Sequence, residues 1–271
     1  MPVRVLFIGE IVSKAGVHCV KTILSDLRKE LDLDFVIANG DGATSGYGIG
    51  KNHSIYLRKL GVDVITGGDQ TFFKKDMVPH LQSASYILRP ANLPPQSPGR
   101  GWRTYTVGTR SIGVINMLGQ SGFHRIHGSS PFTFLPELAK RIQETTPIII
   151  VDFHALTTAE KYSMFYHADG LVSAVIGTGT RVITGDHQVL PKGTAVVCDV
   201  GRTGSLDSVA GLNPKVEIRQ FLSAIPERSS DTFANPELQG ALLEIGDDGK
   251  ALSIEPLRRA CDSVSDSGGD E

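Results

Sequence analysis

The sequence predicts an α/β fold organised on parallel strands. Three observations predict it. Unbroken runs of branched and aromatic apolar residues, such as Val3 to Ile8 and Ile148 to Val151, are too short for ordinary helices and suit strands buried on both faces. Segments with apolar residues at helical spacing alternate with them, which is the signature of βαβ units. Most runs also stop abruptly at glycine with Asp, Glu, Asn or His. These stops fall at Glu10, Asp41, Asp69, His154, Thr178 to Arg181 and Asp199.

Val3 to Ile8 is the first strand. Val17 to Leu31 follows as an amphipathic helix, with Val17, Val20, Ile23, Leu24, Leu27 and Leu31 on one face. Asp34 to Ala38 is the second strand, and a glycine-rich loop runs from it to Gly50. His53 to Leu60 is a short helix ended by Gly61. Val62 to Thr66 and Tyr86 to Leu88 are further strands. Pro and Gly exclude regular structure from Arg89 to Gly101. Thr104 to Val107 and Ser111 to Met117 form a hairpin. Gly119 to Ser130 is a polar loop, and Pro131 to Thr145 is a helix. After the Ile148 strand come a helix from Ala159 to His167 and strands at Val172 to Ile176 and Ala195 to Cys198. Glu217 to Leu222 is helical. Leu242 to Ile245 and Ala251 to Leu257 form a second hairpin around Asp247-Asp248-Gly249. Residues 1–260 read as one domain, and residues 261–271 as a disordered acidic tail.

Composition narrows the function. A net charge of -2 gives no global basic footprint for nucleic acid or an anionic membrane. Three widely spaced cysteines suit a reducing, cytoplasmic setting and exclude a disulfide scaffold. No apolar run is long enough to span a bilayer, and no secretory leader is evident.

A strand-end glycine or carboxylate is ordinary turn chemistry when taken alone. Together, these stops converge on the carboxyl edge of a sheet, where ligands collect. Several carboxylates and a histidine gathered there need a cation or an ordered ligand. Other candidates have plainer readings. His124 and His127 could be a metal pair if helical, but read as a solvated loop. Gly46-Tyr47-Gly48-Ile49-Gly50 lacks the Lys-Ser/Thr of a phosphate loop. Trp102 could stack on a base or simply be partly buried.

The series Phe7-Ile8-Gly9-Glu10, Asn39-Gly40-Asp41, Gly67-Gly68-Asp69-Gln70, Arg89-Pro90-Ala91-Asn92, Asp152-Phe153-His154-Ala155, Gly177-Thr178-Gly179-Thr180-Arg181 and Asp199-Val200-Gly201 resembles the YmdB-type family of calcineurin-like metallophosphoesterases. The resemblance runs from residue 3 to about residue 257. It implies a layered sandwich of two mixed β-sheets flanked by helices, with a small cap region. It also implies a di-metal phosphodiesterase site acting on 2′,3′-cyclic nucleotides, and a tendency to form homo-oligomers.

The chain departs from the family pattern at most ligand positions. Glu10 stands where the family has Asp, Asp41 replaces the bridging Glu, and Gly42 replaces the adjacent Asn. Asp69-Gln70 replaces Asn-His, so Gln70 stands where the general-acid histidine is expected. Gly179 and Arg181 replace two histidine ligands, and His154 is retained. Three readings follow. Glu10, Asp41, Asp69 and His154 hold one divalent ion, Mg²⁺, Mn²⁺ or Fe²⁺. Or no cofactor binds, and Arg181 neutralises Glu10 or Asp41 in its place. Or phosphate chemistry persists through Arg89, Arg181 or His124. Arg181, Arg89 and Asn92 are the candidate phosphate contacts. The leading expectation is a non-catalytic or strongly impaired homologue that binds a partner protein, phosphate or a nucleotide. The alternative is an active phosphodiesterase with an altered, single-metal site. A pure interaction scaffold would have no nucleotide affinity.

Overall fold

The computed structural model describes residues 2–123 and 128–261. In chain order the elements are β1 (Val3–Ile8), β2 (Glu10–Ile11), α1 (Ser13–Glu30), β3 (Phe35–Asn39), α2 (Lys51–Lys59), β4 (Val64–Thr66), α3 (Met77–Ser83), β5 (Ile87–Leu88), β6 (Trp102–Val107) and β7 (Arg110–Leu118). They continue as α4 (Pro131–Gln143), β8 (Ile149–His154), α5 (Thr158–Ala168), β9 (Ala174–Thr178), β10 (Gln188–Val189), β11 (Ala195–Val197), β12 (Arg202–Ser205), α6 (Pro214–Ser223), β13 (Pro236–Ile245) and β14 (Ala251–Ala260).

Two mixed sheets pack face to face. One has the order β2-β12-β13-β1-β3-β4-β5, with β14 also paired to β13. The other runs β10-β11-β9-β8-β7-β6. In the first sheet β1, β3, β4 and β5 are parallel, and in the second β7, β8, β9 and β11 are. Their carboxyl ends therefore gather at one edge of the sandwich.

Period-2 alternation sorts each strand between two cores. Val5, Phe7, Ile37 and Val64 face inward against Val114, Ile150, Ile176 and Val197. Leu6, Ile8, Val36 and Ile65 face outward beneath Leu24 and Leu27 of α1 and Leu57 of α2. On the opposite side, Ile149, Val151, Phe153 and Val175 lie under Leu135 and Ile142 of α4 and Met164 and Phe165 of α5. The result is a helix–sheet–sheet–helix sandwich. Among the described residues no helix is long and apolar enough to cross a membrane.

Several elements differ from the sequence reading. α1 begins at Ser13 rather than Val17. β13 runs back to Pro236, because Glu237 and Gln239 are buried inside the sheet and break the apolar pattern without breaking the strand. β2, α3, β10 and β12 were not anticipated; three of them are strands of two to four residues, too short for periodicity to register. β8 does not stop at Val151 but continues through His154. Cys261 is buried beside the core rather than heading a tail, while residues 262–271 and the pair His124/His127 lie outside the described residues.

Candidate functional site

The site grows from the parity of the inward faces. Asn39, Thr66, Asp152 and Thr178 continue the inward rows of β3, β4, β8 and β9, so four polar side chains meet between the sheets at the carboxyl edge. Asp152 accepts from Asn39 Nδ2 at 2.8 Å, from Thr178 Oγ1 at 2.7 Å and from the Thr66 hydroxyl. This fully buried carboxyl is pushed up by desolvation, which those donors oppose. It ties the two sheets together directly beneath the cleft.

His154 is the next inward residue of β8. Its Nδ1 lies 3.0 Å from Thr178 Oγ1. That hydroxyl already donates to Asp152, so it accepts from His154 Nδ1–H, which fixes the ring. Nε2 points at Asp69 Oδ1, 3.1 Å away, with Asp41 Oδ2 at 3.9 Å. Phe123 stacks on the ring at 5.8 Å between centroids. Burial pulls the imidazole pKa down. The Asp69 hydrogen bond and the charges of Asp41, Glu10 and Asp69 outweigh that pull and raise it to about 9.

Asp41 follows β3 and Asp69 follows β4. Asp41 accepts from the backbone N–H of Gly68 at 2.7 Å and of Gln70 at 2.9 Å. Burial pushes its carboxyl up to about 7; His154 opposes that shift, and Asp69 and Glu10 reinforce it. Asp69 is also pushed up by burial, but its hydrogen bond to His154 and the charges of His154 and Arg181 hold it below the usual range.

Glu10, after β1, has a different partner. Arg181 Nε donates to its Oε1 at 2.9 Å and Nη2 to the same oxygen at 2.5 Å. Arg181 also donates to Ala210 O at 3.1 Å and Gly46 O at 3.2 Å. The guanidinium is thus seated by the glycine-rich loop after β3 and the loop before α6. Gly42 makes room for the pair: a Cβ there would lie 2.9 Å from Glu10 Oε1 and 3.0 Å from Arg181 Nη2.

The turn carrying Gly179 and Arg181 is braced from below. Asp199 accepts from Thr180 N, Thr180 Oγ1 and Gly201 N, and pairs with Lys161 Nζ at 3.1 Å. Both charged partners are fully buried. Burial pushes the Asp199 carboxyl up, against the opposing charge of Lys161 and the hydrogen bonds.

The donor set can be tested for a cation. Asp41, Asp69 and His154 each offer a ligand atom, all within 4.8 Å of one another. Two carboxylates and a ring held with Nδ1 protonated suit one divalent ion at Nε2. A second ion does not fit as the side chains stand: Glu10 is engaged by Arg181, the Gln70 Oε1 accepts from Gly48 N, and Gly42 and Gly179 carry no side-chain donor.

The structure brings Glu10, Asp69, Gln70, His154, Gly179 and Arg181 to the walls of one cleft of about 460 Å³, with Asp41 buried behind them beside His154. Gln70 is drawn toward the glycine-rich loop, accepting from Gly48 N at 3.0 Å. Two expected phosphate contacts are elsewhere. Asn92 spends its amide on Leu118 and Ser129 carbonyls and on Leu118 N, closing the loop after β5. Arg89 lines a separate pocket beside Trp102.

Sequence reasoning missed the aromatic walls Tyr47, Phe73 and Phe123 and the buried Lys161. A signal existed for the last: Lys161 shares a helix face with Met164, Phe165 and Ala168, at i+3, i+4 and i+7. Parity along β3, β4 and β9 would likewise have placed Asn39, Thr66 and Thr178 beside Asp152.

Comparison with known proteins agrees with this architecture. Residues 6–257 match the family described as YmdB-like protein. The chain is 35% identical over 255 residues to a 2′,3′-cyclic-nucleotide 2′-phosphodiesterase of Bacillus subtilis, covering 94% of this chain and 96% of that one. It superposes on the crystal structure of a novel phosphatase from Mycoplasma pneumoniae with a TM-score of 0.91 at 31% identity, covering 96% and 94% of the two chains. A likeness in fold alone extends to the NAD nucleotidase of Haemophilus influenzae, at a TM-score of 0.62 and 11% identity over 96% of this chain and 56% of that one. The chain therefore belongs to the YmdB-like family, within the calcineurin-like metallophosphoesterase fold.

Proposed function

We propose that this protein is a family member that binds a nucleotide or another phosphate-bearing ligand in its cleft without hydrolysing it. The observation that carries this reading is the buried Arg181–Glu10 pair. A permanent guanidinium stands where the family resemblance places a metal ligand. It satisfies the carboxylate that a metal would otherwise need, and it repels a divalent ion nearby.

Binding capacity is supported by the cleft walls. Tyr47, Phe73 and Phe123 offer aromatic faces for a base. Beyond Tyr47 and Phe73 the cleft opens into a hollow that also contains Lys74 and Arg228. Arg228 lies 5.9 Å above the Tyr47 ring. Aromatic walls with nearby cations suit a base and its phosphate. A homo-oligomer and a cytoplasmic location belong to the same reading. Helix α6 buries none of its residues, and Cys19, Cys198 and Cys261 are free and buried.

A second reading rests on the Asp41–Asp69–His154 group. If these residues hold one divalent ion, it would polarise a phosphoryl oxygen, and Thr178 would keep the His154 ring oriented. Calorimetry separates the two readings. Chelator-treated protein titrated with 2′,3′-cyclic AMP is expected to bind, with the nucleotide recovered unchanged. Absence of binding overturns the proposal. Stoichiometric metal in protein purified without chelator, with nucleotide turnover, favours the second reading.

A further inference from the structure

Among the described residues Arg89 faces no counter-ion. It is 6% exposed and makes no ion pair among the described residues. Its Nη1 donates to Pro90 O at 2.7 Å and its Nη2 reaches Ser97 O at 3.4 Å, both neutral carbonyls. Its Nε is buried without any hydrogen-bond partner. A guanidinium stays protonated at any pH the fold survives, so the charge cannot be discarded. A buried, unpaired charge carries a desolvation cost that a nearby anion would relieve.

The surroundings carry further positive charge. Arg89 lines an open pocket of about 530 Å³ together with Arg100, Arg103, Trp102 and Thr145. Leu88 and Arg100 form a short parallel bridge at the end of β5, and Arg89 N donates to Arg100 O at 2.9 Å. Arg141 covers one face of Trp102 at 5.4 Å. Among the described residues no carboxylate lines the pocket, and neither Arg100 nor Arg103 forms a salt bridge. Three arginines converging on one concavity repel one another unless an anion enters. This pocket shares no lining residue with the cleft that holds His154.

We infer that this pocket is a second anion site that takes a phosphoryl group, with Arg89 as its buried anchor and Arg100 and Arg103 at its rim. Planar guanidinium forks match phosphate oxygens in pairs, which suits Arg100 and Arg103 at the rim, while Arg89 contributes an uncompensated buried charge behind them. The inference stands whether or not the cleft is catalytic.

Trp102 is the only tryptophan, so its emission reports on this pocket alone. The full-length protein is titrated with inorganic phosphate at constant ionic strength, with sodium chloride as the control, and then with AMP by calorimetry. A saturable change in Trp102 emission with phosphate and none with chloride is expected. Replacing the rim cations (Arg100→Ala with Arg103→Ala) should weaken phosphate at least tenfold, since both charge-assisted hydrogen-bond donors are lost. Tighter AMP binding that is lost in the rim variant would make the phosphoryl group part of a nucleotide, and equal or weaker AMP binding would make it free phosphate. Because Arg89→Ala risks misfolding, the rim variant decides. A Trp102 signal that never saturates, or one that survives the loss of both rim arginines, overturns the site.

Discussion

Arg181 places both Nε and Nη2 on one oxygen of Glu10, joining the turn after β9 in one sheet to β2 in the other. The pair is almost entirely sealed from water. Removing one partner strands the other as a buried charge. Arg181→Met is therefore expected to destabilise the fold by roughly 3–5 kcal/mol, measured by urea unfolding. The double variant Glu10→Gln with Arg181→Met should recover most of that loss. An additive double variant would show that the two side chains are not energetically coupled.

Gly42 makes a conditional prediction. Gly42→Asn alone introduces a Cβ within 3.0 Å of both Glu10 Oε1 and Arg181 Nη2. Overpacking of this kind costs about 1–3 kcal/mol. Combined with Glu10→Asp and Arg181→His, the same substitution should be close to neutral, because both obstructing atoms withdraw. Thermal unfolding of the Gly42→Asn single variant against the unaltered protein, and of the triple variant against the Glu10→Asp, Arg181→His double, checks this.

Rebuilding the histidine ligands should meet a backbone obstacle. Gly179 has a φ of 106°, which L side chains rarely adopt. Gly179→His is expected to lower stability by about 1–3 kcal/mol unless the turn rearranges. A crystal structure of the variant would show either an altered φ at 179 or a strained one, and unchanged stability with unchanged φ would contradict the expectation.

Lys161 is predicted to be a structural residue of the site. Lys161→Met leaves the Asp199 carboxylate buried without its cation, at a cost of roughly 3–5 kcal/mol. The turn at Thr180 should loosen as well, visible as faster amide exchange at Thr180, whose N–H donates to Asp199. Protection at Thr180 equal to that of the unaltered protein would remove this role.

Helix α6 exposes Ile218, Phe221 and Leu222, with Phe221 88% exposed, and Ile225 just beyond the helix is exposed as well. A surface this apolar marks a contact face. If the protein is the proposed homo-oligomer, Phe221→Asp with Leu222→Asp is expected to reduce it to monomer in light scattering without lowering the unfolding midpoint of the monomer. An unchanged mass would move the interface elsewhere.

Much of this was legible from the residues. Buried parallel strands announce themselves as unbroken apolar runs, and each ends at a polar stop. That is why Glu10, Asp41, Asp69, His154 and Arg181 could be assigned to one edge before any coordinates. The Arg181–Glu10 pairing was also within reach, because a carboxylate cluster lacking metal ligands needs a fixed cation. The location of Arg89 was not, since an X-Pro loop gives no trajectory and its neighbours Arg100 and Trp102 approach through pairing near β5 and β6. Lys161 was missed because a lysine in a short helix is ordinarily solvated, and only the distant Asp199 shows why this one is not.

We propose that the fixed guanidinium–carboxylate pair stands in place of a two-metal centre. This is tested most directly by the rate of 2′,3′-cyclic AMP hydrolysis under saturating Mn²⁺, measured beside the Bacillus subtilis relative. The expected result is no turnover above buffer while the relative is active. Chelator-sensitive turnover accompanied by two bound Mn²⁺ per chain would contradict the account.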